Sequence, residues 1–183
     1  MNKLLLGICA IVLLSSALAN VLLVRECRDL SKLADSLESQ GTTPKGVILP
    51  ALRGDDLSGT PMTIEVKDTD RPSVLFVFSP ACSVCAKNWP KWKSMLDSRK
   101  TTLWRPVFVN VGTPSSAEFR TAHGLGQFPT IDIISKDSAL AYRFLFTPET
   151  IVVNTKGKAE DVWIGELPEG VAEKFPQTIS AVH

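Results

Sequence analysis

The sequence predicts an α/β domain in which a β-sheet is covered by helices on both faces. Residues Ser73–Phe78 form an almost unbroken apolar run, rich in β-branched and aromatic side chains, that is typical of a strand buried on both faces. A segment with apolar residues at helical spacing, Val84–Leu96, follows this strand directly. A second apolar run, Leu103–Val111, predicts another buried strand. Buried strands that alternate with helical segments indicate the α/β class.

Turn-forming and capping residues divide the rest of the domain into short elements. The segment Gly54–Gly59 is rich in turn formers and predicts a hairpin. A serine of the pair Ser115–Ser116 caps a helix that ends at about His123, where a positive charge interacts favourably with the helix dipole. Lys156–Gly157 predicts a turn between two strands. The other predicted elements are hairpin strands at Val47–Leu49 and Thr63–Val66, a strand at Thr130–Ile134, a helix at Ser138–Phe144, strands at Thr150–Asn154 and Asp161–Ile164, and a helix from Pro168 to about Ile179.

Two cysteines, Cys82 and Cys85, lie between the first buried strand and its helix. Unpaired backbone N–H groups at a helix N-terminus favour a thiolate over a thiol. One helical turn separates the two residues, so a disulfide bond between them is within reach. This pattern predicts a redox couple in which Cys82 attacks the disulfide bond of a partner and Cys85 resolves the mixed disulfide.

Other roles for this cysteine pair fit the sequence less well. A zinc ribbon needs a second pair, but Cys9 and Cys27 lie in or beside an apolar N-terminal segment. A c-type haem site needs histidine directly after the second cysteine, where this chain has Ala86. A purely structural disulfide that closes so short a loop stabilises little. The residues therefore favour redox chemistry.

Further features accompany the cysteine pair. Pro90 lies five residues after Cys85, within the predicted helix. The segment Thr147–Asn154 enters a predicted strand through a Thr-Pro pair. With these residues the chain resembles the thioredoxin superfamily, and within it the membrane-anchored TlpA/ResA-like thiol–disulfide oxidoreductases with a redoxin (AhpC/TSA-like) domain. The resemblance extends from about Val47 to the C-terminus.

The resemblance implies a three-layer thioredoxin-like fold, a central mixed β-sheet flanked by helices, for residues 47–183. It also implies that the Thr147–Pro148 peptide bond is cis and lies against the disulfide bond, although the sequence alone does not fix this isomer. No metal and no cofactor are expected. The expected site consists of Cys82 and Cys85 as the catalytic pair, with Thr147, Pro148 and Trp89 as substrate-binding residues.

The activity implied by the resemblance is exchange of dithiol for disulfide with protein partners, in the direction of reduction. The partners would be protein thiols and disulfides, together with a membrane or periplasmic electron donor. Two alternatives remain open. A copper-handling module would need ligands beyond Cys82 and Cys85, and a peroxiredoxin-like peroxidase would have threonine where this chain has Ser79.

The chain also departs from the family pattern. The family usually has tryptophan before the first cysteine and often proline before the second, where this chain has Ala81 and Val84. Phe76 occupies the position at which thioredoxin has a buried acid that relays protons. A base for Cys85 is therefore expected from elsewhere, either Glu149 or a water molecule.

The N-terminal part of the chain predicts a membrane segment. Leu4–Val24 contains no charged residue, and as a helix it is about 31 Å long, enough to cross a bilayer. Residues 1–25 are interpreted as an uncleaved anchor or, alternatively, as a signal peptide cleaved after Ala17–Ala19. Residues 26–46 are interpreted as a helical stalk and a linker that precede the domain.

The charge and composition of the chain restrict which location and which partners are expected. Positive residues on the two sides of the apolar segment are nearly balanced, so charge does not set the orientation. The resemblance implies a single pass through a bacterial cytoplasmic membrane, with the redox domain on the periplasmic side. The net charge is +1 and the pI is about 7.7, and no basic patch is interleaved with aromatic residues, so nucleic acid is not an expected partner.

Overall fold

The computed structural model describes residues 13, 15–30, 41–97 and 103–180. The chain divides into two units, Met1–Gln40 and Gly41–His183. In the first unit, residues 15–30 form helix α1. No helix in the described ranges is both long enough and apolar enough to cross a bilayer. The predicted membrane segment lies partly outside the described residues, as does much of the predicted stalk.

The second unit combines short strands and helices in an α/β order. The strands described in it are β1 (Leu52–Asp55), β2 (Pro61–Ile64), β3 (Ser73–Phe78), β4 (Arg105–Asn110), β5 (Thr130–Ile131), β6 (Ile133–Ile134), β7 (Glu149–Val153) and β8 (Ala159–Ile164). The helices described in it are α2 (Ser83–Asp97), α3 (Ala117–His123), α4 (Lys136–Tyr142) and α5 (Val171–Ser180). A short 3₁₀ helix, Leu125–Gln127, follows α3.

Strand β3 is the centre of the larger sheet. This sheet has five strands in the order β5-β4-β3-β7-β8. β4 pairs with β3 in parallel, whereas β7 pairs with it antiparallel, so the sheet is mixed. All residues of β3 are buried, as the apolar run predicts. A second sheet has three strands in the order β2-β1-β6.

Each face of the central sheet carries its own apolar core. Because side chains alternate along a strand, Leu75 of β3 belongs to one core and Phe76 to the other. The first core contains Tyr142 of α4, and the second contains Trp92 of α2 and Phe175 of α5. Helices therefore cover both faces of the sheet. The predicted three-layer α/β architecture is confirmed.

The hairpin that opens the domain is shifted from its predicted position. The prediction of a strand at Val47–Leu49 is wrong, because β1, the first strand of the hairpin, begins only at Leu52. The turn of the hairpin is fixed by Asp56, whose carboxylate accepts hydrogen bonds from the backbone N–H groups of Ser58 (2.7 Å) and Thr60 (2.9 Å). β1 and β2 lie directly on either side of this turn, which places β1 later in the chain than predicted.

Gly54 is also placed differently from the prediction, since it lies within β1 and not in the turn. Strand β6 pairs with β1 at this residue. A Cβ atom at position 54 would collide with the carbonyl oxygen of Ile133. Glycine is needed here because the neighbouring backbone approaches so closely.

A buried aspartate fixes α3 against the sheet. Asp132 separates β5 from β6, and its side chain is 3% exposed. Its carboxylate accepts hydrogen bonds from Ser115 Oγ (2.5 Å) and Asn110 Nδ2 (3.2 Å), and it forms an ion pair with Arg120 of α3 (3.2 Å). Asn110 ends β4, so this network holds α3 at the carboxyl ends of the parallel strands β3 and β4. That is the edge at which β3 leads into the two cysteines.

Helix α3 has the ends that the sequence predicts. Ser116 is the N-cap, and its side chain accepts a hydrogen bond from the backbone N–H of Phe119 (3.2 Å). Gly124 ends the helix in the left-handed region, with φ of 64°.

Candidate active site

The two cysteines lie where β3 ends and α2 begins. β3 ends at Phe78, and the carbonyl oxygen of Ser79 accepts a hydrogen bond from the backbone N–H of Cys82 (3.1 Å). Helix α2 begins at Ser83. Cys82 and Cys85 are joined by a disulfide bond, with their Cα atoms 5.2 Å apart. This separation is usual for a disulfide bond.

The two sulfur atoms lie in different environments. Cys85 is 1% exposed and packs in the core beneath α2, whereas Cys82 is half-buried and lines a cavity open to solvent. The backbone N–H of Cys85 donates a hydrogen bond to Cys82 Sγ (3.1 Å). In the reduced protein, this N–H and the helix N-terminus would stabilise a thiolate at Cys82. The arrangement therefore makes Cys82 the sulfur that a partner reaches first.

The loop before β7 lies against Cys82. The Thr147–Pro148 peptide bond is cis, as the resemblance implies. The carbonyl oxygen of Thr147 is 3.6 Å from Cys82 Sγ. Glu149, the residue after Pro148, pairs with Val77 of β3, so the sheet itself fixes this loop beside the end of β3. The cis-proline loop therefore lies within contact distance of the more exposed sulfur.

A buried asparagine supports this loop, and the sequence analysis missed it. Asn88 of α2 is fully buried. Its side-chain amide donates a hydrogen bond to the carbonyl oxygen of Gly165 (2.9 Å) and accepts one from the backbone N–H of Leu167 (2.8 Å). The backbone N–H of Gly165 in turn donates to the carbonyl oxygen of Pro148 (2.8 Å). Asn88 thus links the helix that carries the cysteines to the cis-proline loop.

Two lysines of α2, Lys87 and Lys91, are paired with an acidic residue and do not serve the thiolate. Lys91 forms an ion pair with Glu166 (3.0 Å) and donates a hydrogen bond to the carbonyl oxygen of Leu167 (2.6 Å). Lys87 also pairs with Glu166 (3.4 Å). Both ammonium groups lie on the side of α2 that faces the segment after β8. Neither belongs to the environment of Cys82, and exposed pairs of this kind stabilise little.

Trp89 lies in the wall of a cavity of about 760 Å³ that Cys82 also lines, and its role in substrate binding stays a prediction. His123 stacks on its indole ring, with ring centroids 4.0 Å apart and planes 14° apart. Burial lowers the pKa of His123. Burial therefore disfavours the charged imidazole, and His123 packs as an aromatic ring against Trp89.

Glu149 is a buried carboxyl group directly after the cis-proline. The residue is fully buried, and neither carboxyl oxygen has a hydrogen-bond partner. The nearby hydroxyl of Thr43 donates instead to the carbonyl oxygen of Tyr142 (2.8 Å). Burial raises the pKa of Glu149 to about 8. The backbone N–H and the hydroxyl of Thr43 are near the carboxyl group and lower its pKa, but by less than burial raises it. No hydrogen bond joins this carboxyl group to either cysteine, so its role as a base for Cys85 stays a prediction.

The two alternative functions find no specific support in the site. Among residues 13, 15–30, 41–97 and 103–180, no group of three or more His, Cys, Asp and Glu side chains is arranged to hold a metal ion. Ser79 stands where a peroxiredoxin would have threonine. Its side chain packs closely on Gly112, and a Cβ atom added at position 112 would collide with the Ser79 hydroxyl.

Three solved bacterial structures resemble this chain over most of its length. The thioredoxin domain of a thiol–disulfide oxidoreductase from Bacteroides vulgatus has a TM-score of 0.58 at 18% identity, covering 75% of this chain and 99% of that one. A thiol:disulfide interchange protein from Bacteroides sp. has a TM-score of 0.56 at 19% identity, covering 75% and 91%. StoA from Bacillus subtilis has a TM-score of 0.51 at 23% identity, covering 72% and 98%.

These similarities establish the fold of the chain. The identities all lie below 25%, and the coverage of each solved chain is nearly complete. The thioredoxin fold implied by the residues around Cys82, Cys85 and Pro148 is thereby confirmed. No protein-family model matches the chain, and no curated protein matches it.

Proposed function

We propose that this protein is a thiol–disulfide oxidoreductase that exchanges dithiol for disulfide with protein partners. One observation carries the proposal. A half-buried Cys82, bonded to a buried Cys85, lies at the N-terminus of α2 and 3.6 Å from the carbonyl oxygen of Thr147 in the cis-proline loop. This geometry exposes one sulfur to a partner and keeps the second ready to release it.

The reaction follows from the unequal exposure of the two sulfurs. In the reduced protein, the Cys82 thiolate attacks one sulfur of a partner disulfide, and the other partner sulfur leaves as a thiolate. The Cys85 thiolate then attacks Cys82 Sγ, which releases the second partner thiolate and forms the Cys82–Cys85 disulfide. Two electrons pass to the partner, and an external dithiol donor must return them. Thr147 and Pro148 position the partner chain, and Trp89 forms the wall on the side of α2.

The direction of exchange in this proposal is reduction, as in the TlpA/ResA-like proteins that the chain resembles. A redox titration of the full-length protein tests it. Cys9 and Cys27 are replaced by Ser, because Cys27 is a free exposed thiol that would interfere. We expect one two-electron couple with a potential near about −270 mV. A potential near about −120 mV would reverse the direction to disulfide formation, and the absence of any two-electron couple would reject the function itself.

The same proposal places the protein at a bacterial cytoplasmic membrane, with the redox domain on the periplasmic side. The support is the uncharged segment Leu4–Val24. We expect the full-length chain to stay with the membrane fraction after alkaline carbonate extraction. Leu14→Arg should release it, since a charge at the middle of this segment would lie at mid-bilayer and cost about 3 kcal/mol. Extraction of the unaltered chain, or a mature N-terminus after Ala19, would contradict anchoring.

A further inference from the structure

The cavity beside Cys82 lies between α2 and α3, and we call it the α2–α3 pocket. Cys82, Ala86 and Trp89 line it from the side of α2, and Phe119, Ala122 and Phe128 line it from the side of α3 and the segment after it. Its volume of about 760 Å³ is in the usual range for binding sites. Neither Thr147 nor Pro148 lines it. The pocket is therefore separate from the cis-proline loop, although both adjoin Cys82.

The walls of the α2–α3 pocket are aromatic and held in place. Trp89 stacks with His123 (centroids 4.0 Å apart) and with the buried Phe108 (5.8 Å), and it meets Phe119 edge-on (5.8 Å). Trp89 and Phe119 remain partly exposed. Lys93 is the only Asp, Glu, Lys or Arg among the lining residues. Polar side chains also line the pocket, but the larger part of its surface is apolar. A preformed surface of this kind favours an apolar side chain, whose burial removes this surface from water.

The topology sets which molecule reaches this pocket. β7, which follows Pro148, lies on one side of β3, and β4, which leads to α3, lies on the other. Cys82 follows β3 itself, so it lies between the cis-proline loop and the α2–α3 pocket. A partner that is bonded to Cys82 and lies along Thr147 continues across the sulfur toward the pocket. Each extended residue advances about 3.3 Å, so the residues next to the partner's cysteine are within reach.

We infer that the α2–α3 pocket binds an aromatic or large aliphatic side chain of the partner polypeptide, close in sequence to the cysteine that bonds to Cys82. The inference rests on the proposed function, which makes Cys82 the point of attachment. The pocket then determines specificity, because it selects partner cysteines that have an apolar neighbour. The cis-proline loop holds the partner backbone on the other side of the sulfur.

Trapping of peptides tests the inference. The full-length protein carries Cys9→Ser, Cys27→Ser and Cys85→Ser, so Cys82 is its only thiol. Each peptide carries one cysteine activated as a mixed disulfide with 5-thio-2-nitrobenzoate. The Cys82 thiolate attacks the peptide sulfur, a peptide–Cys82 disulfide forms, and the coloured thiolate leaves. The peptides are identical except for Phe or Ser at one of the two positions on either side of the cysteine.

We expect the second-order rate constant to be about tenfold higher with Phe than with Ser in at least one of the four positions, as burial of much of an aromatic side chain provides. Equal rates at all four positions would overturn the inference and leave the proposed function intact. Failure of every peptide to react with Cys82 would overturn both.

Two matched variants test whether the higher rate with Phe arises from binding in the α2–α3 pocket. Ala122 is an exposed alanine of α3 that lines the pocket, and Ala141 is an exposed alanine of α4, which packs on the other face of the sheet. Ala122→Trp fills the pocket, so the ratio of Phe to Ser rates should fall to about one. Ala141→Trp should keep the full ratio. An unchanged ratio in Ala122→Trp would place the preference elsewhere and overturn the inference.

Discussion

Replacing Cys82 by Ser is expected to abolish disulfide exchange by the full-length protein, whereas replacing Cys85 by Ser is expected to stop the reaction after its first step. Cys82 supplies the exposed sulfur at the N-terminus of α2, and a serine hydroxyl there does not attack a disulfide bond at neutral pH. Cys85 is 1% exposed, so it reaches only the sulfur of Cys82 and not a free partner. The loss of turnover should be roughly a thousandfold or more in both variants.

The two variants are distinguished by their products. Turnover of a model protein disulfide is followed with a chemical dithiol as electron donor. Adducts are sought in a separate single-turnover reaction, in which the protein is first reduced, the dithiol is removed, and the products are separated without reductant. Cys85→Ser should accumulate a covalent adduct with the partner, and Cys82→Ser should not. Cys27→Ser is the control and should turn over like the unaltered chain, because Cys27 is a free cysteine outside the Cys82–Cys85 couple. An adduct formed by Cys82→Ser, or turnover retained by it, would contradict the assigned roles.

The central strand and the cysteine pair could be predicted because their signals are local. The six residues of β3 are all apolar or small and all buried, and α2 follows at once with its own periodicity. The caps of α3, Ser116 and Gly124, are read from two residues whose conformations are special. Where the residues of one element determine it, the prediction and the structure agree.

The roles of individual side chains around the site could not be predicted in this way, because distant residues decide them. Asn88 looks like an ordinary polar helix residue, but its partners, Gly165 and Leu167, are 77 and 79 residues away. Its spacing of three from Cys85 puts it on the buried face of α2, and that was the available signal. Lys91 likewise finds its partner, Glu166, only after folding. The pocket depends on the position of α3, which Asp132 fixes at the end of the sheet.

Glu149 makes the stability of the domain depend on pH in an unusual direction. Its ordinary pKa is 4.5, and in the folded protein the pKa is raised to about 8 by burial. The folded state therefore binds a proton that the unfolded state has already lost between these values. The stability associated with the protonated carboxyl group is complete below pH 4.5 and is lost as the pH rises through about 8. An exposed carboxylate paired with a lysine would act in the opposite direction.

Replacing Glu149 by Gln should remove this dependence, since the amide keeps the shape of the protonated acid and does not ionise. Denaturant unfolding of the full-length protein, in oxidised form, measures how the free energy of unfolding changes between pH 5 and pH 8. The unaltered chain should lose on the order of 4 kcal/mol of unfolding free energy over this window, and Glu149→Gln should lose much less and be the more stable protein at pH 8. Glu169→Gln removes the same charge from an exposed residue and should keep the full slope. Equal slopes in the unaltered chain and Glu149→Gln would show that the carboxyl group is hydrated in the folded state, and the burial argument would fail.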